Sequence, residues 1–138
     1  MKNIVFLALI ACLIGFSSCS EKSEDVVIKV NPLLVYGTYE GTYTNTSGTV
    51  GNLTTTTDNN YQVKIVDHGG GNSISIAGAN DNNITLVTTT LSTSDGVTYT
   101  GSLEDPALNF FSFNVSTKKV KISLYQNNEQ KEYEGYKQ

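Results

Sequence analysis

The sequence contains no arginine and no tryptophan, so its nine positively charged side chains are all lysines. Arginine's forked donors are the usual means of binding phosphates, and nucleic-acid binding requires a basic surface. Here thirteen acidic residues outnumber the lysines, and the formal net charge is −4 at pH 7. We therefore expect that nucleic acid is not a partner.

Histidine and cysteine are almost absent, with one histidine and two cysteines. The histidine lies in His68-Gly69-Gly70-Gly71, a motif that resembles the oxyanion hole of some lipases. No Gly-x-Ser-x-Gly nucleophile motif accompanies it in the sequence, although such enzymes require one. One histidine also cannot build an ordinary zinc site. We expect no catalytic residues, no metal and no cofactor, and we interpret 68–71 as a hairpin turn.

Acidic side chains are spaced in ways that favour turns over metal or glycosidase sites. The Asp-Asn-Asn triplets at 58–60 and 81–83 lack the spacing of a calcium loop. Glu132 and Glu134 share a strand face, and Glu104-Asp105 is a second acidic pair. A glycosidase pair also requires a cleft, so we interpret these acids as solvated charge.

Only one long apolar run is present, and it lies at the N-terminus. Lys2 precedes an uncharged apolar run from Ile4 to Phe16, and Ser17 and Ser18 follow. This order is typical of a signal peptide. About 13 apolar residues are fewer than the roughly 20 that a membrane-spanning helix needs. We therefore predict that residues 1–18 are a signal peptide.

The residues before Cys19, which read Gly15-Phe16-Ser17-Ser18, resemble the lipobox of bacterial lipoproteins. The resemblance implies cleavage between Ser18 and Cys19 and attachment of lipid to Cys19, which would hold the protein on a membrane. Cys12, after Leu9-Ile10-Ala11, is the alternative site. Cleavage there would leave an apolar region of only about seven residues, the minimum for a signal peptide, so we prefer Cys19.

Residues 19–34 are predicted to be the lipidated cysteine and a flexible tether, because Ser20 to Asp25 are polar and mostly acidic. The acidic stretch also resembles the one that directs lipoproteins of some Gram-negative gut bacteria to the cell surface. We expect an outer-membrane, surface-facing location, with a periplasm-facing anchor as the alternative.

Residues 35–138 are predicted to form a single all-β domain. Alternating apolar and polar residues indicate half-buried strands, and Asn, Asp and Gly clusters between them indicate turns. The predicted strands are 36–44, 49–57, 61–67, 73–78, 83–91, 97–103, 108–115, 119–126 and 130–137, with 49–57 the doubtful member. The predicted inward residues are Tyr61, Val63, Ile65, Ile74, Ile76, Ile84, Leu86, Val97, Tyr99, Leu103, Phe111, Phe113, Val115, Val120, Ile122 and Leu124.

Short turns between successive strands predict an antiparallel meander of about eight strands. Such a sheet hides its apolar face by closing into a barrel or by forming a two-layer sandwich. Tyr39-Glu40-Gly41 recurs as Tyr133-Glu134-Gly135, and glycine inside a strand is typical of a barrel corner. The repeat favours the barrel, with the first and last strands as neighbours.

The stretch from Gly37-Thr38-Tyr39-Glu40-Gly41-Thr42-Tyr43 to Tyr133-Glu134-Gly135 resembles the small lipocalin-like (calycin-like) lipoproteins of Gram-negative gut bacteria. The resemblance implies a small barrel displayed from a membrane. We expect a non-enzymatic role in binding or structural display. The alternatives are a carrier of a small apolar ligand inside the barrel and an inhibitor or glycan-contacting surface module. The sequence does not indicate which residues would bind a ligand, so the ligand-binding residues are unknown from it.

Overall fold

The computed structural model describes residues 28–102 and 105–138. The predicted signal peptide, its cleavage site at Ser18 and Cys19, most of the tether, Leu103 and Glu104 lie outside these ranges. Within them, no helix has the length and apolar character needed to cross a membrane.

Eight antiparallel strands follow a single turn of 3₁₀ helix, Pro32–Leu34. Each strand pairs with the next, and β1 also pairs with β8, so the hydrogen-bonded ring is closed. The predicted all-β meander is confirmed, in its barrel form. The strands are β1 Gly37–Thr49, β2 Asn52–Asp67, β3 Ser73–Gly78, β4 Val87–Ser92, β5 Thr98–Gly101, β6 Leu108–Asn114, β7 Lys119–Gln126 and β8 Glu129–Lys137.

The two Tyr-Glu-Gly repeats meet where the barrel closes, as the sequence predicted. Gly41 of β1 lies directly opposite Gly135 of β8. A Cβ atom on Gly41 would stand 2.1 Å from the Glu134 carbonyl oxygen and 2.4 Å from the Gly135 Cα. No side chain fits at such a separation, so glycine is what permits the two backbones to approach here.

β2 corrects the strand assignment, because residues 52–57 of the predicted strand 49–57 are continuous with the predicted strand 61–67, whereas Thr49 ends β1. The predicted turn at Asp58-Asn59-Asn60 is instead a bulge: Tyr61 pairs with Gly41, and Asp58 pairs with Tyr43. The Asp58 carboxylate accepts a hydrogen bond from the Asn60 backbone N–H at 2.9 Å. Asn and Asp side chains can hydrogen-bond nearby backbone N–H groups in a bulge just as they do in a turn. The composition of residues 58–60 therefore fits both structures, and the turn was the wrong prediction.

Two predicted core residues are exposed. Leu86 is 63% exposed because β4 begins at Val87 and not at residue 83. Val97 is 40% exposed and precedes β5. The Asp95 carboxylate accepts the N–H groups of Val97 and Thr98, so Val97 belongs to the turn. In both cases the predicted alternation began before the first residue of the observed strand.

The core is otherwise close to the prediction. Val115 is partly buried against it. The confirmed inward residues are Tyr61, Val63, Ile65, Ile74, Ile76, Ile84, Tyr99, Phe111, Phe113, Val120, Ile122 and Leu124. The buried residues that the prediction omitted include Val35, Tyr39, Tyr43, Val87, Leu91, Leu108 and Tyr133.

Candidate functional site

Aromatic rings fill the interior of the barrel. The Tyr43 and Tyr61 rings stack with their centroids 4.6 Å apart. The Tyr133 ring meets Tyr61 edge-on at 6.1 Å, and Tyr39 meets Phe113 edge-on at 5.9 Å. All five side chains are buried. These rings occupy the space that a ligand carried inside the barrel would need.

Polar contacts close one end of the barrel around the N-terminal segment. The Tyr39 hydroxyl donates a hydrogen bond to the Val35 carbonyl. The Asn31 backbone N–H donates to the Tyr99 hydroxyl at 3.3 Å. These two hydrogen bonds with interior tyrosines hold the residues just before β1 across this end of the barrel.

The opposite end is closed by the segment between β3 and β4. Lys131 is only 3% exposed, and its Nζ donates to the Asn83 carbonyl. The Gln126 amide exchanges two hydrogen bonds of 3.2 Å with the backbone of Thr85. A buried lysine is rare unless its charge is compensated. Here Glu129 supplies a carboxylate 3.8 Å from the Lys131 Nζ.

The interior tyrosines are neutral hydrogen-bonding groups. Burial raises the pKa of Tyr43 to about 12. Burial likewise raises the pKa of Tyr39, Tyr61 and Tyr133, and the hydrogen bond to Asp81 adds to the effect at Tyr61. Their hydroxyl groups therefore remain protonated at neutral pH.

Two of these tyrosines allow a paired test of hydrogen bonding inside the barrel. The Tyr61 hydroxyl donates to the Asp81 carboxylate at 2.6 Å and accepts the Ile84 N–H at 3.2 Å. The Tyr133 hydroxyl is buried without a partner among the described residues. Tyr61→Phe should lower the free energy of unfolding by about 1–3 kcal/mol, because it leaves both partners unsatisfied. Tyr133→Phe should be neutral or stabilising. Urea unfolding of both variants measures the difference, and a larger loss for Tyr133→Phe would contradict the assignment.

The outside of the barrel offers a groove of about 290 Å³ across β6, β7, β8 and β1. Its side chains come from positions that face outward on these neighbouring strands. Because β1 joins β8 only across the closing seam, the β1 side of the groove exists only in the closed barrel. The lining residues with outward side chains are Thr42, Thr44, Phe110, Lys121, Ser123, Glu132 and Glu134.

Phe110 supplies the aromatic side of this groove. The β6–β7 register shifts between Leu108 and Phe110, which is a bulge, and it leaves Phe110 outside while Phe111 returns to the core. Phe110 is 46% exposed. The predicted inward residues include Phe111 and Phe113 but not Phe110, and the exposure of the three side chains agrees with that prediction.

The groove carries one paired carboxylate and one that forms no ion pair. Lys119 and Lys121 both contact Glu134, the latter at 3.1 Å. The hydrogen bond from Lys119, with a second from Lys121, holds the pKa of Glu134 below its usual range. Glu132 lies between Ser123 and Thr44 on the adjacent strands. It makes no ion pair within the described part of the chain.

The other candidate residues from the sequence that the structure describes make local turn and core contacts. His68 Nδ1 lies 2.9 Å from the Ser75 hydroxyl beside the 68–71 turn. Asp81 bonds the Tyr61 hydroxyl and the Asn83 backbone. Asp105 accepts the Ala107 N–H at 2.8 Å. Over residues 28–102 and 105–138, no three His, Cys, Asp or Glu side chains are grouped as metal ligands.

Comparison with known proteins gives no match to a family model, to a curated protein or to a solved structure. The groove was not predicted from the sequence, because no local motif marks it. Its single sequence signal is Phe110, an apolar residue out of phase with its strand.

Proposed function

We propose that this chain is an exported lipoprotein, held in the outer membrane by a lipid on Cys19, whose barrel acts without catalysis as a module that contacts neutral glycans. The lipobox-like Gly15-Phe16-Ser17-Ser18-Cys19 supports the anchor. The acidic tether supports display at the cell surface, with a periplasm-facing location as the alternative. The observation that carries the binding role is the exposed Phe110 ring in a groove of hydroxyl and carboxylate groups.

Each group in the groove matches a feature of a sugar. An aromatic face carries negative partial charge, so it attracts the polarised C–H face of a pyranose ring. The Glu132 carboxylate and the hydroxyls of Thr44 and Ser123 accept or donate hydrogen bonds, which sugar hydroxyls require. Carboxylates are strong acceptors, so Glu132 is the expected polar anchor.

Charge favours a neutral glycan over an acidic one. The only lysine lining the groove, Lys121, is paired with Glu134. Glu132 adds a negative charge that repels a second anion. The groove therefore has no free cation, among its described residues, with which to bind a uronic acid or a sulfated sugar.

The carrier alternative is less well supported by the geometry. A ligand-holding pocket normally has about 300–1,000 Å³ of enclosed space. The described interior is instead crossed by stacked tyrosine and phenylalanine rings. An eight-stranded barrel is at the size where side chains alone fill the interior.

Glycan binding is tested on the full chain in nonionic detergent with a panel of immobilised neutral and acidic oligosaccharides. We expect binding to neutral members, and at least a tenfold loss with Phe110→Ala or Glu132→Gln, which corresponds to about 1.4 kcal/mol. Leu86→Ala is the matched control, since Leu86 is 63% exposed and outside the groove. No binding by the parent, or an equal loss with Leu86→Ala, would refute the glycan assignment.

The lipid anchor is tested separately by metabolic labelling with a fatty acid. The parent chain should be labelled, and Cys19→Ser should lose the label while Cys12→Ser keeps it. Persistence of the label in Cys19→Ser together with its loss in Cys12→Ser would move the anchor to Cys12. Protease treatment of intact cells then distinguishes a surface-facing barrel from a periplasm-facing one.

A further inference from the structure

The outer edge of β2 is the longest open strand edge in the described barrel. β2 pairs with β1 from Asn52 to Ile65, interrupted only by the bulge, but its pairing with β3 begins only at Val63. Residues 52–60 are all exposed, and no described strand pairs with their second edge. Nine residues at about 3.3 Å each make an edge of roughly 30 Å.

Over residues 52–57 this edge lacks the features that normally prevent strand pairing. Natural proteins protect an open edge with lysine, proline, a short strand or a cover. The stretch Asn52-Leu53-Thr54-Thr55-Thr56-Thr57-Asp58-Asn59-Asn60 contains no lysine and no proline, and its one bulge lies at the far end, near Asp58. Threonine also favours the extended conformation. The edge is therefore preformed for one more strand.

We propose that β2 pairs edge to edge with β2 of a second copy of this chain, antiparallel and centred on Thr55. In this register Thr55 of one copy lies opposite Thr55 of the other, and Thr54 lies opposite Thr56. Facing threonines stabilise an antiparallel pair through hydroxyl and methyl contacts. The pairing is self-complementary because the centre of the tract is four threonines.

Charge and side-chain geometry select a second copy over an unrelated peptide. The two Asp58 carboxylates would lie six residues apart along the paired strands, about 20 Å, beyond the Debye length of about 8 Å at physiological salt. Strand addition of an unrelated peptide obtains specificity from pockets for its side chains. Residues 52–60 are all exposed, and none of them lines the groove described above.

Assembly should stop at two copies. A twofold pairing uses the same patch on both partners, so the edge is consumed in both. The proposal does not depend on the glycan role, because the edge lies outside the groove on β6, β7, β8 and β1.

Disulfide crosslinking tests the proposal on the full chain carrying Cys12→Ser and Cys19→Ser, so that an introduced cysteine is the only thiol whether or not the chain is processed. Single cysteines are placed at 53 to 58 in turn, and oxidation is followed in nonionic detergent. We expect Thr55→Cys, which faces its own copy across the pair, to form covalent dimers at least tenfold faster than Leu53→Cys or Asp58→Cys.

Thr100→Cys is the matched control, because Thr100 is an exposed threonine on a strand paired on both sides. It measures encounters that do not involve an open edge. Adding Thr54→Lys to Thr55→Cys should slow crosslinking at least tenfold, whereas Thr88→Lys, on the paired strand β4, should not. A flat profile over 53 to 58, or rates equal to Thr100→Cys, would overturn the proposal.

Discussion

Replacing Phe113 with alanine is expected to lower the free energy of unfolding by about 3–5 kcal/mol. Phe113 is 1% exposed, and its ring meets the Tyr39 ring edge-on at 5.9 Å. Tyr39 is itself held by its hydrogen bond to the Val35 carbonyl, so it cannot move freely into the space left behind. A cavity that neighbours cannot fill adds its own cost to the lost burial.

Urea unfolding of Phe113→Ala and Phe110→Ala measures this effect with a control from the same strand. Phe110 is 46% exposed, so its truncation should change the free energy of unfolding by less than about 1 kcal/mol, as is usual for surface sites. For a domain whose total stability is about 5–15 kcal/mol, the Phe113 loss could unfold most of the population. Equal losses for the two variants would show that the β6 bulge is misplaced.

Substituting Gly41 with alanine is expected to lower the free energy of unfolding by about 3 kcal/mol or more, at the upper end of overpacking effects. The new Cβ would collide with backbone atoms of Glu134 and Gly135 at 2.1–2.4 Å. Backbone on a paired strand cannot rotate away as a side chain can. β1 and β8 must separate at the closing seam, and their ladder hydrogen bonds weaken with it.

Gly51→Asn provides the contrast for Gly41→Ala. A Cβ on Gly51 meets nothing within 4 Å, and its φ of +91° is the only cost. Asparagine tolerates positive φ better than most residues, so this change should cost about 1 kcal/mol or less. Amide hydrogen exchange should locate the Gly41→Ala damage at the β1–β8 ladder. Uniform protection in that variant would indicate that the seam does not open.

Sequence patterns predicted strands best where one face is buried without interruption. β3 and β7 were predicted with the bounds that the structure shows, 73–78 and 119–126. In β7 the alternation of Val120, Ile122 and Leu124 with exposed residues is regular. A period of two indicates a half-buried strand unambiguously when every apolar residue reaches the core.

The structure could not be predicted from the sequence where the same residues are compatible with two different arrangements. Asp58-Asn59-Asn60 is suited to a turn or to a bulge, and only the pairing of β2 with β1 selects the bulge. Tyr39, Tyr43 and Tyr133 were omitted from the predicted core although all three are buried. Tyrosine is found both in the core and on the surface of proteins, so the residue type alone does not indicate whether the side chain points inward.

The groove could not be predicted from the sequence either, because it is formed by residues from different strands. Thr44, Ser123 and Glu132 are ordinary polar residues at outward positions of three strands. They become neighbours because β8 pairs with β1 across the seam and with β7 on its other side. Thr44 is about eighty to ninety positions from Ser123 and Glu132, and residues so far apart carry no mutual signal in a single sequence.

The sequence by itself determined the strand-forming alternation, the Tyr-Glu-Gly repeats that meet at the seam and the outward direction of Phe110. Each of these is a local property, set by side-chain periodicity and by the space that glycine leaves. Only the tertiary structure decided the continuity of β2, the filling of the interior with tyrosine rings, the groove and the open edge at 52–60. These features depend on which strands become neighbours, and that is decided by closure of the whole sheet, because a barrel must satisfy all its strand pairings at once.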